Sequence, residues 1–164
     1  MFAYYVMPKQ NDAATAAIRP FPAGLRMIGT QVQFSCAHGG SPRLDAPFDC
    51  RPHFPAQPRT DAWVNFPTCW DGRGTEPSDV RYAGATGCPA GFGTPIPLLQ
   101  FQLTWTTPNG TGAMFSTGAL QARWTNGWNQ QALESLVKSC LNTPTACGSV
   151  VNYFHRSPLP PSAR

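Results

Sequence analysis

Proline and glycine limit this chain more than any other feature: 18 and 15 of 164 residues, about one in five. Proline removes a backbone donor and clashes with the preceding helical turn, and glycine is costly to order. Long helices are therefore disfavoured, and short strands joined by turns are favoured. Length allows one sizeable core, since a chain of this size buries roughly 68–70% of its unfolded surface. The expected organisation is one domain over residues 1–155 with a disordered tail at 156–164. No apolar run approaches the roughly 20 residues of a membrane-spanning helix. Charged residues make up 12% of the chain, about half the usual share, which argues against a highly charged disordered tail and a coiled coil. Twelve Lys+Arg against eight Asp+Glu give +4. The basic residues form no run, so nucleic acid is not an expected partner, although a mild attraction to acidic polymers remains.

The six cysteines are Cys36, Cys50, Cys69, Cys88, Cys140 and Cys147. The count is even and no CxxC occurs, which favours three disulfides over a zinc or redox site. Disulfides imply an oxidising compartment, hence a secreted or cell-surface protein. Six cysteines allow 15 connectivities, and spacing does not choose among them. Cys36–Cys50 and Cys140–Cys147 would close short local loops and leave Cys69–Cys88. The N-terminal Met1–Pro8 segment has no basic region, long apolar stretch or cleavage site of a signal peptide.

Along the chain, prolines 20 and 22 keep residues 1–23 extended. Leu25–Ile28 and Val32–Phe34 read as strands around a Gly29-Thr30 turn, and Ala62–Phe66 as a third. Residues 37–60 and 67–95 are two long loops, uncommon unless functional or tied down. Leu99–Trp105 is the clearest strand, alternating Leu99, Phe101, Leu103 and Trp105 with Gln100, Gln102 and Thr104. Pro108-Asn-Gly110 predicts a hairpin turn, with returning strands at Ala113–Ser116 and Leu120–Trp124. One helix is signalled: Ala132, Leu133, Leu136, Val137 and Cys140 recur every three or four residues, with Asn126 or Asn129 as N-cap and Asn142 and Pro144 as the stop. Val150–Phe154 is a candidate last strand. The fold class that follows is α+β, mainly β: an antiparallel sheet or sandwich with one C-terminal helix and long disulfide-tied loops.

Candidate chemistry is sparse. Asp71, Glu76 and Asp79 share one loop, and a glycoside hydrolase needs two carboxylates about 5–9.5 Å apart across one bond. Surface acids in a loop are the ordinary alternative. In Cys69-Trp-Asp-Gly72 the structural reading is a loop anchor, with Asp71 accepting backbone N–H bonds and the Trp70 indole satisfied. His38, His53 and His155 lack metal-ligand spacing, so neither metal nor cofactor is expected. Asn109-Gly-Thr111 matches a glycosylation sequon, a triplet that also arises by chance. Trp124, Asn126 and Trp128 with Arg123 have the composition of a sugar-binding face, in which flat rings lie beside hydrogen-bonding side chains. The competing reading puts those rings in the core.

An ordered set of boxes carries a resemblance. Arg19-Pro-Phe-Pro-Ala-Gly-Leu-Arg-Met-Ile-Gly29 comes first. Cys36 and Cys50 precede Phe66-Pro-Thr-Cys-Trp-Asp-Gly72. Gly87-Cys-Pro89, Pro95-Ile-Pro97 and Asn126-Gly-Trp128 follow, before a helix ending in Cys140-Leu-Asn142. Over about residues 3–147 the chain resembles the secreted bacterial and fungal family called domain of unknown function nineteen-ninety-six. Relatives carry a His-rich segment ahead of the stretch matched by Ala3-Tyr4-Tyr5-Val6. They also have Asp-His and Ser-His pairs in the loop after Asp71-Gly72, and a His and an Asp where Gln121 and Arg123 stand. The resemblance thus implies a chain that starts inside a longer product and lacks most His-based chemistry of its relatives. It transfers no activity. The expected function is a secreted or surface non-catalytic module binding polysaccharide. The alternatives are a glycoside-type hydrolase using the loop carboxylates and a structural subunit of a larger extracellular assembly.

Overall fold

A computed structural model describes residues 2–6, 18–36, 41–52, 59–106 and 120–142. The expected hairpin at Pro108–Gly110, the strands at Ala113–Ser116 and Val150–Phe154, the tail, all three histidines and Cys147 lie outside the described residues. Nine strands and one α-helix are described: β1 Phe2–Val6, β2 Arg26–Gly29, β3 Gln31–Cys36, β4 Thr60–Asn65, β5 Cys69–Trp70, β6 Val80–Arg81, β7 Thr94–Pro95, β8 Leu98–Trp105, β9 Ala122–Thr125 and α1 Gln130–Leu136. The fold is mainly β with antiparallel sheets, one C-terminal helix and disulfide-tied loops, as the composition predicts. The chain divides into two compact units. One gathers the described residues within Met1–Tyr4, Ile28–Phe66 and Leu99–Arg123; the other, those within Tyr5–Met27, Pro67–Leu98 and Trp124–Arg164.

The first unit is built on a four-stranded sheet in the order β1-β8-β4-β3. β3 and β8 each pair antiparallel with β4, Val32 opposite Val64 and Val64 opposite Phe101. Side chains alternate across a strand, so Val32, Val64 and Phe101 share one face with Phe34, Ala62 and Leu103. Phe34, Ala62, Val64, Phe66, Leu99 and Phe101 are buried, and each large side chain withdrawn from water contributes roughly 1.5–3 kcal/mol. Phe66 and Phe101 meet edge to face at 4.9 Å. A methyl group at Gly29 would lie 2.9 Å from the Asn65 carbonyl and from Val64 Cγ1, so close packing admits no side chain there. Cys36 and Cys50 are disulfide-bonded.

The long loop expected at 67–95 is in fact partly ordered as a sheet of its own. β5 lies between β6 and β7, antiparallel to both. Two-residue strands fall below any detectable period, and Pro95 suits an edge strand, where its missing N–H is harmless. Cys69–Cys88 bridges this segment. Ile18, Phe21, Leu25, Met27, Val80, Ile96, Leu133 and Val137 are among the buried apolar residues of this unit. α1 is capped by Asn129, whose side chain accepts from the Ala132 N–H, not by Asn126. Beyond Leu136 the helix widens into a π-helical stretch, Val137–Leu141. The Asn142 amide then closes on Ile18, donating to its carbonyl and accepting from its N–H, both at 2.8 Å. Cys140 is disulfide-bonded as well.

Candidate functional site

The register sums three short polar patterns into one surface. In β3 the residues facing away from the apolar side are Gln31, Gln33 and Ser35; in β4 Asp61, Trp63 and Asn65; in β8 Gln100, Gln102 and Thr104. Pairing aligns them as the rows Gln31–Asn65–Gln100, Gln33–Trp63–Gln102 and Ser35–Asp61–Thr104. No aliphatic residue interrupts this grid. The alternation expected for β8 is present, yet its polar side does not face solvent. Asp61 is 0% exposed and Gln102 1%, and Ser35, Trp63 and Gln100 are also buried.

Burial of polar groups is tolerable only with hydrogen bonds, and most of the grid has them. Gln100 Nε2 donates to Asn65 Oδ1 at 2.6 Å. Trp63 Nε1 donates to Ser35 Oγ at 2.8 Å. Thr104 Oγ1 donates to Asp61 Oδ1 at 2.7 Å. Asp61 Oδ2 is buried without a hydrogen-bond partner among the described residues.

The Cys36–Cys50 loop extends this surface. Phe34 and Leu44 exchange backbone hydrogen bonds of 2.7 and 2.9 Å, an antiparallel bridge that places Leu44 beside the outer edge of β3. By alternation, the neighbours Arg43 and Asp45 turn to the polar side. The Arg43 guanidinium accordingly lies 3.8 Å from the centre of the Trp63 ring, a cation–π contact. Asp45 lines a recess of about 370 Å³ together with Gln31, Val32, Gln33 and Asn65. That volume is at the small end of the range for ligand pockets. Leu44, at 47% exposure, is the one exposed large hydrophobic among the described residues.

The carboxylates singled out in the sequence lie in the other unit and are engaged there. Asp71 Oδ1 accepts from the N–H groups of Arg73 and Gly74 at 2.8 and 3.1 Å, the turn expected of Asp-Gly. Trp70 donates from Nε1 to the Gly74 carbonyl at 2.7 Å. Asp79 accepts from the Glu76 N–H through Oδ2 and from Ser78 through Oδ1. Glu76 pairs with Arg26 and completes a reciprocal cap with Asp79.

Of the proposed sugar face, Asn126 is buried. Its amide donates to the carbonyls of Phe21 and Pro22, and its oxygen accepts from Trp128 N–H. Trp124 is half-buried and packs edge to face on Phe21 at 4.9 Å. Trp128 is half-buried and Arg123 exposed. The sequence reading missed the sheet face. Its signal was present as polar residues at every second position of β3, β4 and β8, a pattern that by default means a solvated face.

Among the described residues no group of three or more His, Cys, Asp or Glu is placed to hold a metal ion, and no helix is long and apolar enough to cross a membrane. No curated protein and no solved structure matches the chain. A family model does, over residues 1–134. The boxes from Arg19-Pro-Phe-Pro22 through Asn126-Gly-Trp128 fall inside that span, and the chain belongs to the family described as "Domain of unknown function (DUF1996)".

Proposed function

We propose that this protein is a secreted, non-catalytic module that binds polysaccharide at the open end of the polar sheet face, in the recess lined by Gln31, Gln33, Asp45 and Asn65. The observation that carries the reading is that recess, where the side-chain amides of Gln31, Gln33 and Asn65 come together outside the buried part of the grid. Sugars present hydroxyls that both donate and accept, and side-chain amides match them in kind. Disulfides in both units are consistent with an oxidising compartment. The loop carboxylates support a hydrolase less well, because Asp71, Glu76 and Asp79 each hold part of their own loop together.

A glycan array tests the reading with wild type, Gln33→Ala, Asn65→Ala and the double variant Trp124→Ala/Trp128→Ala. Binding by the wild type that the two sheet-face variants lose is the expected result. Loss confined to the double variant would move the site to the Trp124–Trp128 segment. A wild type that binds no glycan would sink the proposal.

A further inference from the structure

We infer that the recess selects sugars by charge: it takes a ring bearing hydrogen-bond donors and no acidic group, with Asp45 as the specificity-determining residue. This rests on the polysaccharide reading above. Among the described residues the Asp45 carboxylate is the only charged group lining the recess, whose other walls are Gln31, Val32, Gln33 and Asn65. Among the described residues Asp45 enters neither ion pair, those being Arg26–Glu76 and Arg51–Asp49. An ionised carboxylate only accepts hydrogen bonds, so its partner must donate. Neighbouring hydroxyls on one ring fit its two oxygens, and an ammonium on an amino sugar would add charge. A uronate, sulfate or phosphate would set two negative groups together in a partly enclosed site.

The position of the acid is built into the fold. The Phe34–Leu44 bridge fixes the register of the loop against β3 and directs Asp45 toward Gln33. Asn65 is held on the far wall by the Gln100 amide. Arg43, from the same bridged segment, is held over Trp63, so the cation of this segment is engaged on the ring while the acid lines the recess. The overall charge of +4 attracts acidic polymers at long range; selection in the recess runs the opposite way.

Calorimetric titration of the full chain with three hexasaccharides tests this: a neutral glucan, its amine-bearing glucosamine counterpart and a uronic acid polymer of equal length. Wild type should bind the neutral and amine-bearing sugars about tenfold or more tighter than the uronate. In Asp45→Asn the amide keeps the shape and removes the charge, so the preference for the amine over the uronate should collapse. Asp45 is exposed, and an unchanged melting temperature will confirm that the variant folds. Equal binding of the uronate by wild type, or an unaltered preference in Asp45→Asn, would overturn the inference and leave polysaccharide binding standing. Absence of binding to all three, with a blank glycan array, would overturn both.

Discussion

Each compact unit contains a disulfide-tied segment, and the two use their polar residues in opposite ways. Between Cys69 and Cys88 the acids and the indole build the segment itself: Asp71 makes a turn, Asp79 and Glu76 cap each other, and Trp70 bonds to Gly74. Between Cys36 and Cys50 a single bridge from Leu44 to Phe34 of β3 lays the side chains of Arg43, Leu44 and Asp45 beside the sheet, and Asp45 takes part in no ion pair among the described residues. A carboxylate already occupied by backbone N–H groups is structural. One held in place by other groups is available to a ligand.

The largest expected effects come from the disulfides. Cys36–Cys50 and Cys69–Cys88 close loops of similar length, with separations of 14 and 19 residues, so replacing either pair with alanine should cost about 2–4 kcal/mol in chemical denaturation. Function should separate them. Glycan binding by the still-folded Cys36→Ala/Cys50→Ala protein should fall sharply, because Arg43, Leu44 and Asp45 lie within that loop. Binding by Cys69→Ala/Cys88→Ala should persist wherever the protein remains folded. Equal binding by both would erase the distinction.

Next come two glycines, one per unit. A Cβ on Gly74 would lie 1.9 Å from Asp79 Oδ2, so Gly74→Ala must displace the carboxylate that caps Glu76. Loss of a cap costs about 0.5–2 kcal/mol. A Cβ on Gly29 meets backbone, the Asn65 carbonyl at 2.9 Å, which cannot rotate away. Overpacking of this kind costs about 1–3 kcal/mol. Thermal unfolding should rank Gly29→Ala as the worse of the two, and Gly29→Ala should also weaken glycan binding because Asn65 lines the recess.

Legibility in the sequence followed the range over which each signal acts. β8 and the helix were readable because one period repeats over several residues, and the family boxes are contiguous strings. The segment 67–95 reads as loop because three strands of two residues each carry no period. Asn126 and Asn129 are equivalent as caps on paper. Only the carbonyls of Phe21 and Pro22, more than a hundred residues away, decide between them by burying Asn126. The candidate site was the least legible part. Gln33, Trp63 and Gln102 form one row only once the register is known, and an isolated bridge placing Asp45 leaves no composition signal.

Asp61 tests whether the polar grid exists for stability. Its carboxylate is fully buried and shares one hydrogen bond, from Thr104, while Oδ2 has no hydrogen-bond partner among the described residues. Burying a charge without a partner is unfavourable. Asp61→Asn keeps an acceptor for Thr104 and removes the charge, so denaturation at neutral pH should show a gain of the order of 1 kcal/mol. A comparable loss would mean that the carboxylate holds the sheet together, and the grid would then be structural like the Asp71–Asp79 segment.

The smallest effect is expected at Asp49, inside the Cys36–Cys50 loop. Arg51 binds its carboxylate twice through Nε, at 3.0 and 2.8 Å, and once through Nη2 at 2.5 Å, and its backbone N–H adds a fourth bond at 2.9 Å. The side-chain bonds to Arg51 hold the Asp49 carboxyl below its ordinary value, helped by the backbone bond. A depressed carboxyl contributes stability that is present above the unfolded-state value and is lost as pH falls through the folded one. The pair is solvent-exposed, so salt screening keeps that contribution small. Asp49→Asn should therefore leave the melting temperature almost unchanged at pH 7 and remove a shallow component of the decline that sets in as pH falls below the ordinary carboxylate range. Glycan binding should not change, because Asp49 does not line the recess. A large loss of binding in Asp49→Asn, with Asp45→Asn silent, would transfer the role of the free acid from one side chain of this loop to the other.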